Sequence, residues 1–340
     1  MSKTYRMGIL GCGDYLRWRW RSISRSERVE VTALYDLERS RAEDYAARLG
    51  GRAVGSDADV LEASDVDIVC LFVPPWARRE LLLRAAAAGK HILATKPLAP
   101  GVQECADMVR AVEGNVRCGV EYRRVEDAFI ETCKRIFDGG ELGRLALYRQ
   151  EWLHHYPTWN EWATDPDKNG GPFMDAMIHN QNTVRYLMGR PATHCTFTSE
   201  TLAHPDLRCA DTESMVLDFE GGSAHLFITW AADLEVFSTE GNDREHIEFF
   251  YMVTHRGWRI TDESTDDGRR IVACREGERR EFEPQAPART VYDRFVEAVE
   301  NDAPLPRDLP GIREAYEDVK ILRDGERRPG QRHPVDLALA

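Results

Sequence analysis

Between residues 5 and 120 short apolar runs alternate with helix-patterned stretches, and this alternation restricts the fold more than any other feature of the chain. "YRMGILGCGDYLRWRWRSI" reads as a strand, a glycine turn and a helix. The run "VEVTALYD" is a second strand ending in Asp36, and "ERSRAEDYAARLG" after it has helical spacing and a terminal glycine. "VDIVCLFVPP" is almost wholly apolar and β-branched, as a parallel strand buried on both faces must be. A helix over "ARRELLLRAAAAGK" leads into a fourth strand, "HILATKP". Repeated pairs of this length imply right-handed βαβ units and a parallel sheet.

After residue 120 the pattern changes. "CGVEYRRVEDAFIETCKRIFDGGELGRLALYRQEWLHHYP" reads as a strand end, a helix, a turn and a long strand. From about residue 193 come β-rich runs, "THCTFTSETLA", "ESMVLDFEGGSAHLFITWAA", "REHIEFFYMVTHRGWRITDES" and "RRIVACREGERREFEP", separated by the turn signals "EGG", "TEGN" and "DDG". Two amphipathic helices, around "TVYDRFVEAVEND" and "GIREAYEDVKILRDG", close the chain. The expected architecture is α/β. An N-terminal Rossmann-type dinucleotide-binding domain spans 1–122, and an α+β domain on a mostly antiparallel sheet spans 123–340, its C-terminal helices free to return near the first domain.

A chain of 340 residues has room for two such cores. Its net charge of −13 argues against nucleic acid or an anionic membrane surface as a partner, since both call for clustered Lys and Arg. "MSKTYRMGIL" has no signal-like apolar core, and no segment approaches the roughly 20 apolar residues of a membrane span. A cytoplasmic protein with a small-molecule partner is expected. Eight cysteines without a C-x-x-C pair indicate reduced thiols rather than a disulfide framework.

The dinucleotide fingerprint G-x-G-x-x-G is met at Gly11 and Gly13, with Leu16 in the third place. The first two glycines serve the tight turn and the approach of phosphates to the helix N-terminus, and the third serves packing of helix on sheet. Asp36 ends the second strand, where a carboxylate accepts hydrogen bonds from both adenosine ribose hydroxyls and repels a 2′-phosphate. This favours NAD over NADP, while Arg39 and Arg41 keep NADP open as an alternative. Arg17, Arg19 and Arg21 read as a solvated helix face.

In "GGPFMDAMIHNQNTVRYLMG" an acid and an imidazole, Asp175 and His179, stand one helical turn apart, while Phe173, Met177, Val184 and Met188 follow an apolar face. A salt-linked surface pair is the plainer explanation of such spacing. His154, His155 and His179 with Asp175 match no ligand pattern, so no metal is expected. His154 and His155 point to opposite sides if they lie on a strand. Trp152, Tyr156, Trp159 and Trp162 offer either core packing or a stacking platform for a sugar.

The glycine turn, the Asp-ended strand, "LFVPP", "AAAAGKHILATKPLA", "GELGRL" and "GGPFMDAMIHN" follow one another as in the glucose-fructose oxidoreductase and inositol dehydrogenase (Gfo/Idh/MocA) family, which the chain resembles over nearly its whole length. The resemblance implies an oxidoreductase acting on a sugar, sugar derivative or cyclitol. In that family an E-K-P motif supplies a catalytic lysine and a G-G-x-x-x-D-x-x-x-H helix an acid and a histidine at the domain interface. Lys96 with Pro97, and Gly170, Gly171, Asp175 and His179, match in order and spacing. By the same resemblance Gly11, Gly13, Asp14, Tyr15, Asp36, Arg41, Pro74 and Lys96 would hold NAD, and Glu121, Tyr122, Arg123, Trp152, His155, Trp162 and Asn180 would border the substrate. An exposed face of the second-domain sheet makes a homodimer or homotetramer the expected assembly. The chain departs from the pattern at Thr95, the usual glutamate, at Arg78, a common histidine, and at Glu121, a frequent asparagine.

Alcohol oxidation needs a hydride acceptor on one side of the carbinol carbon and a proton acceptor at its oxygen. An imidazole, with an ordinary pKa of about 6.5, suits the second task. His179 is the expected base, Lys96 the hydrogen-bond donor to the same oxygen, and Asp175 the group that orients the imidazole and holds a neighbouring hydroxyl. Two other functions fit the same sequence: elimination or glycoside cleavage through transient oxidation, and a non-catalytic ligand-binding regulator. Leu16 and Thr95 lean towards the regulator; intact Lys96, Asp175 and His179 lean against it.

Overall fold

The structure, a computed structural model, describes residues 3–154, 161–231, 247–265 and 268–340. The first half alternates strand and helix as expected: β1 (Tyr5–Leu10), α1 (Asp14–Ser24), β2 (Val29–Tyr35), α2 (Arg39–Leu49), β3 (Arg52–Ala53), α3 (Ala58–Leu61), β4 (Ile68–Leu71), α4 (Pro75–Ala87), β5 (His91–Thr95), α5 (Val102–Val112) and β6 (Cys118–Glu121). The strands form one parallel sheet in the order β3-β2-β1-β4-β5-β6. The order reverses between β1 and its neighbours β2 and β4, which opens a crevice beyond their C-terminal ends. Every residue of β4 is buried, in keeping with a central strand covered on both faces.

The chain continues with α6 (Ala128–Gly139), β7 (Leu145–Leu153), a single 3₁₀ turn (Glu161–Thr164), a π-helical turn (Phe173–Met177) and α7 (Ile178–Met188). Then follow β8 (Ala192–Glu200), β9 (Thr212–Phe219), β10 (Gly222–Thr229), β11 (Ile247–Thr254), β12 (Arg259–Thr265), β13 (Gly268–Arg275), β14 (Glu278–Phe282), α8 (Val291–Glu300), α9 (Ile312–Glu326) and β15 (His333–Pro334). The nine strands form one sheet in the order β14-β13-β12-β11-β7-β10-β9-β8-β15, antiparallel except where β10 runs parallel to β7. None of the eight cysteines forms a disulfide. Among the described residues no helix is long and apolar enough to cross a membrane.

The chain divides into two compact units. One comprises Met1–Glu126, Pro287–Tyr316 and Ala340, the other Asp127–Ala286 and Glu317–Leu339. The stretch expected as a second domain over 123–340 is therefore interrupted, because α8 and the turns after it belong to the first unit. Val291, Tyr292, Phe295, Val296 and Leu309 share a core with Met7, Ile9, Leu34 and Cys70. A reciprocal capping box starts α8: Thr290 accepts from the Asp293 backbone N–H, and the Asp293 carboxylate accepts from the Thr290 N–H. Next to it, Val120 donates its N–H to the Pro310 carbonyl at 2.8 Å, and Gly311 bridges Gly119, so the open edge of β6 is covered by the returning chain.

Candidate functional site

The turn after β1 is built around Gly11, whose φ is +94° and whose N–H donates to the Tyr35 carbonyl at 2.9 Å. A Cβ there would lie 2.5 Å from the Phe72 carbonyl oxygen, so β1 and the end of β4 can approach this closely only at glycine. Gly13 starts α1 and brings no capping side chain, which leaves the helix N-terminus open to an anion. Asp14 is exposed in the first turn, and Leu16, in the place of the third glycine, is fully buried. Asp36 is locked against the turn: one carboxylate oxygen accepts the Cys12 N–H at 2.7 Å and the other the Glu38 N–H at 2.9 Å. Each oxygen keeps a lone pair for a further donor. Arg41 pairs with Glu38 at 2.8 Å, and its Nη1 lies 4.0 Å from where a Cβ on Gly13 would stand. Burial pushes the Cys12 thiol up to about 12, so it stays protonated. The residues present fit a bound dinucleotide: glycine where the backbone must be approached, an uncapped helix start and a fixed carboxylate at the neighbouring strand end.

Arg19 does not lie on a solvated face. It points inward, its Nε 2.8 Å from Glu121 and its Nη2 3.0 Å from Glu126. Glu121 is fully buried; it also accepts from the Tyr15 hydroxyl at 3.1 Å and the Tyr292 hydroxyl at 3.3 Å. Burial raises the pKa of its carboxyl above the ordinary value, against the pull of Arg19. Glu121 was expected at the substrate; instead both oxygens are engaged by side chains of the first unit's own core, beneath the start of α1. Tyr15, tied to Glu121, packs its ring on Phe72 at 5.0 Å. The sequence carried a signal for this cluster, since an acid closing an otherwise apolar strand demands a buried donor.

Beyond β5 the chain turns through Lys96 and Pro97. Lys96 is half-buried, and its N–H donates to the Glu121 carbonyl at 3.2 Å. Pro74 caps α4. Arg78, in the first turn of that helix, is buried and donates from Nη2 to the Thr95 hydroxyl at 2.7 Å. Two of the three departures from the family pattern thus touch each other. Tyr122 is buried, whereas Arg123 is exposed.

In the second unit, the helix expected from Phe173 onward begins as a π-turn, a winding often found at functional sites. Phe173, Met174, Met177, Ile178 and Asn180 are buried, while Asp175, Ala176 and His179 are half-exposed, so the acid and the imidazole share the accessible side. Asp175 Oδ1 accepts from Asn169 Nδ2 at 3.0 Å. The Phe173 N–H donates to Glu213 Oε2 at 2.7 Å, and the Ser199 hydroxyl donates to Glu213 Oε1 at 3.3 Å. Glu213 is fully enclosed; burial, reinforced by Glu326, pushes its carboxyl up to about 8. The double glycine has a local cause. Gly171 has φ +115°, and a Cβ on it would press on both Glu213 oxygens at 3.3 Å. Further along α7, Gln181, Asn182 and Arg185 converge on the buried Asp318, so the helix is enclosed on more sides than its apolar stripe suggests.

The aromatic residues divide. Trp152 is buried, donates its indole N–H to Glu248 at 2.8 Å and stacks on His154 at 5.1 Å, so its faces and polar edge are engaged inside the second unit rather than offered to a ligand. Trp162 is half-exposed in the 3₁₀ turn. His155, Tyr156 and Trp159 lie outside the described residues. Asn180 is buried with its amide 3.2 Å from Met177 Sδ.

Known proteins place these features in one lineage. Residues 5–122 match the model of the Gfo/Idh/MocA oxidoreductase family with its NAD-binding Rossmann fold, and residues 130–244 match a Gfo/Idh/MocA C-terminal domain. The uncharacterized oxidoreductase YrbE of Bacillus subtilis is 28% identical over 254 residues, 71% of this chain and 74% of that protein. Inositol 2-dehydrogenase 2 of Saccharopolyspora erythraea is 29% identical over 253 residues, 70% of this chain and 68% of that protein. The crystal structure of aldose-aldose oxidoreductase from Caulobacter crescentus superposes with a TM-score of 0.82, covering 98% of this chain and all of that one (100%) at 20% identity, a likeness of fold. The order of strands, the locked Asp36 beside the glycine turn and the match of both family models along one chain lead to a single assignment: the protein belongs to the Gfo/Idh/MocA oxidoreductase family.

Proposed function

We propose that the protein transfers a hydride between NAD and a secondary hydroxyl or ketone of a sugar, sugar derivative or cyclitol. The observation that carries this reading is the half-exposed pair Asp175 and His179 on one side of a mostly buried π/α segment, in a chain whose other unit places Lys96 directly after β5. The inositol dehydrogenase among its relatives supports the substrate class.

Asp36 would accept hydrogen bonds from the adenosine ribose hydroxyls and disfavour a 2′-phosphate. Gly11, Gly13, Asp14 and Tyr15 would line the pyrophosphate turn, with Arg41 and Pro74 beside it. When bound, the nicotinamide supplies the hydride acceptor or donor. Lys96 would donate a hydrogen bond to the reacting oxygen and favour its negative charge. His179 would take the hydroxyl proton during oxidation and return it during reduction. Asp175, held by Asn169, would orient the imidazole and bind a neighbouring hydroxyl. Arg123 and Trp162 remain candidates for substrate contacts, being at least partly accessible.

The experiment is direct. The purified protein and NAD are offered a panel of aldoses, sugar acids and inositols, and NADH absorbance is followed. Growth with one or more of them is expected. Tight NAD binding with no turnover in either direction on the whole panel would favour the non-catalytic alternative.

A further inference from the structure

Arg78 is among the largest fully buried side chains of the protein. Its Nη1 donates to the carbonyls of Pro97 and, at 3.1 Å, Leu98; its Nη2 donates to the Val73 carbonyl at 2.6 Å and the Thr95 hydroxyl at 2.7 Å. None of these acceptors is a carboxylate, and burial pulls the guanidinium down to about 10. The placement opposes stability in two ways. A charge is enclosed without a counter-charge among the described residues, and a cation stands in the first turn of a helix, where the dipole repels it. An apolar side chain of similar length would fill the space without either penalty, so packing does not explain an arginine here.

The acceptors do explain it. They are the residues immediately before and after Lys96, the next residue along, and the residue before Pro74. β4 and β5 are neighbours in the parallel sheet, and these carbonyls lie just past their C-terminal ends, the edge where open α/β sheets bind ligands. A planar fork with several donors can hold both chain segments at once, which an ammonium point charge cannot. We propose that Arg78 is a positioning residue that fixes the backbone on both sides of Lys96 against the Val73–Pro74 turn, and so sets where the Lys96 ammonium is presented. The proposal rests on the reading of Lys96 as the donor to the reacting oxygen.

Two measurements on the full chain test it. In the dinucleotide-free protein, hydrogen exchange of Arg78→Lys and Arg78→Met should speed up selectively in peptides covering 72–76 and 95–99, with β1 and β2 as protected as in the parent. In steady-state kinetics, Arg78→Lys should lower kcat by about tenfold or more while the Kd for NADH changes by less than about threefold, because small misplacements of a catalytic group act on the chemical step. In a Lys96→Met background the same substitution should cause no further loss. Unchanged local exchange, kcat within about twofold of the parent, or losses that multiply across the two variants would each overturn the Arg78 role. Full turnover in Lys96→Met alone would remove the Lys96 reading, and the Arg78 role with it.

Discussion

Asn169 donates from its amide to Asp175 Oδ1 at 3.0 Å, reaching across the Gly170–Gly171 pair to the middle of the π-helical turn. Arg323 in turn donates to the Asn169 carbonyl at 3.1 Å and pairs with Glu326 at 2.7 Å. The acid of the helix is therefore tied to the segment before the double glycine, which Arg323 holds in turn. Asn169→Ala should slow turnover by about tenfold with little change in NADH affinity, since the loss falls on orientation. In the same assay His179→Asn should abolish the rise of oxidation rate with pH. Unaltered turnover in the alanine variant would show that the contact is structural only.

Lys96→Met keeps much of the side-chain length and removes the donor. Turnover should fall by about two orders of magnitude, with NAD affinity changed far less. Calorimetry showing that NAD binding is lost instead would make Lys96 a cofactor ligand alone.

Asp36 is held by two backbone N–H groups and cannot swing away from a bound ribose without breaking both. NAD should bind more tightly than NADP, and Asp36→Ser should narrow or reverse that order by removing the repulsion. Equal affinities in the unaltered protein would refute the preference.

Glu213 offers a pH test with a defined sign. Its folded carboxyl titrates near 8, whereas in the unfolded chain it titrates near the ordinary 4.5. Between those values the folded state holds a proton that the unfolded state has released, so this group's contribution to stability is complete below about 4.5 and declines as pH rises to about 8. Glu213→Gln keeps a side-chain acceptor for the Phe173 N–H and removes the titration. The melting temperature of the parent should fall relative to that of the variant between pH 5 and 8, and the gap should level off above about 8. Parallel curves across that window would mean Glu213 is ionised in the folded state.

Gly11→Ala tests the turn. The new Cβ would stand 2.5 Å from a backbone oxygen at a positive φ, and backbone cannot move aside as a side-chain tip can. A loss of stability of about 1 kcal/mol or more is expected, together with weaker NAD binding. A variant as stable as the parent would contradict the close approach of β1 and β4.

What could be read in advance was local. The strand and helix alternation up to β6, the glycine turn and the place of Asp36 after β2 are short-range patterns, and each lies where its pattern put it. The features that escaped are pairings across long separations. Tyr15 meets Glu121 at 106 residues' remove and Gln181 meets Asp318 at 137, so the partner cannot be read from neighbouring residues even where, as at Glu121, the strand pattern marks the acid as buried. Arg19 looked solvated because its neighbours Arg17 and Arg21 are charged, yet a helix turns alternate residues to different sides. The π-turn at Phe173 is invisible to apolar periodicity, and so is the acceptor of its first N–H, Glu213 on the distant β9.

The return of Pro287–Tyr316 to the first unit also orders events during synthesis. When Glu126 leaves the ribosome, the dinucleotide-binding sheet has all six strands but lacks Val291, Tyr292, Phe295 and Val296 to cover one side of its core, and Leu309 to seat against Gly119. At about 5–20 residues per second the missing piece arrives on the order of ten seconds later, after the whole intervening part of the second unit has been made. The part of the protein translated first thus waits for its core until most of the second unit has been made, and the second unit in turn waits for Glu317–Leu339. Until its core is complete, the first unit's apolar surface is exposed to chaperones and to other nascent chains.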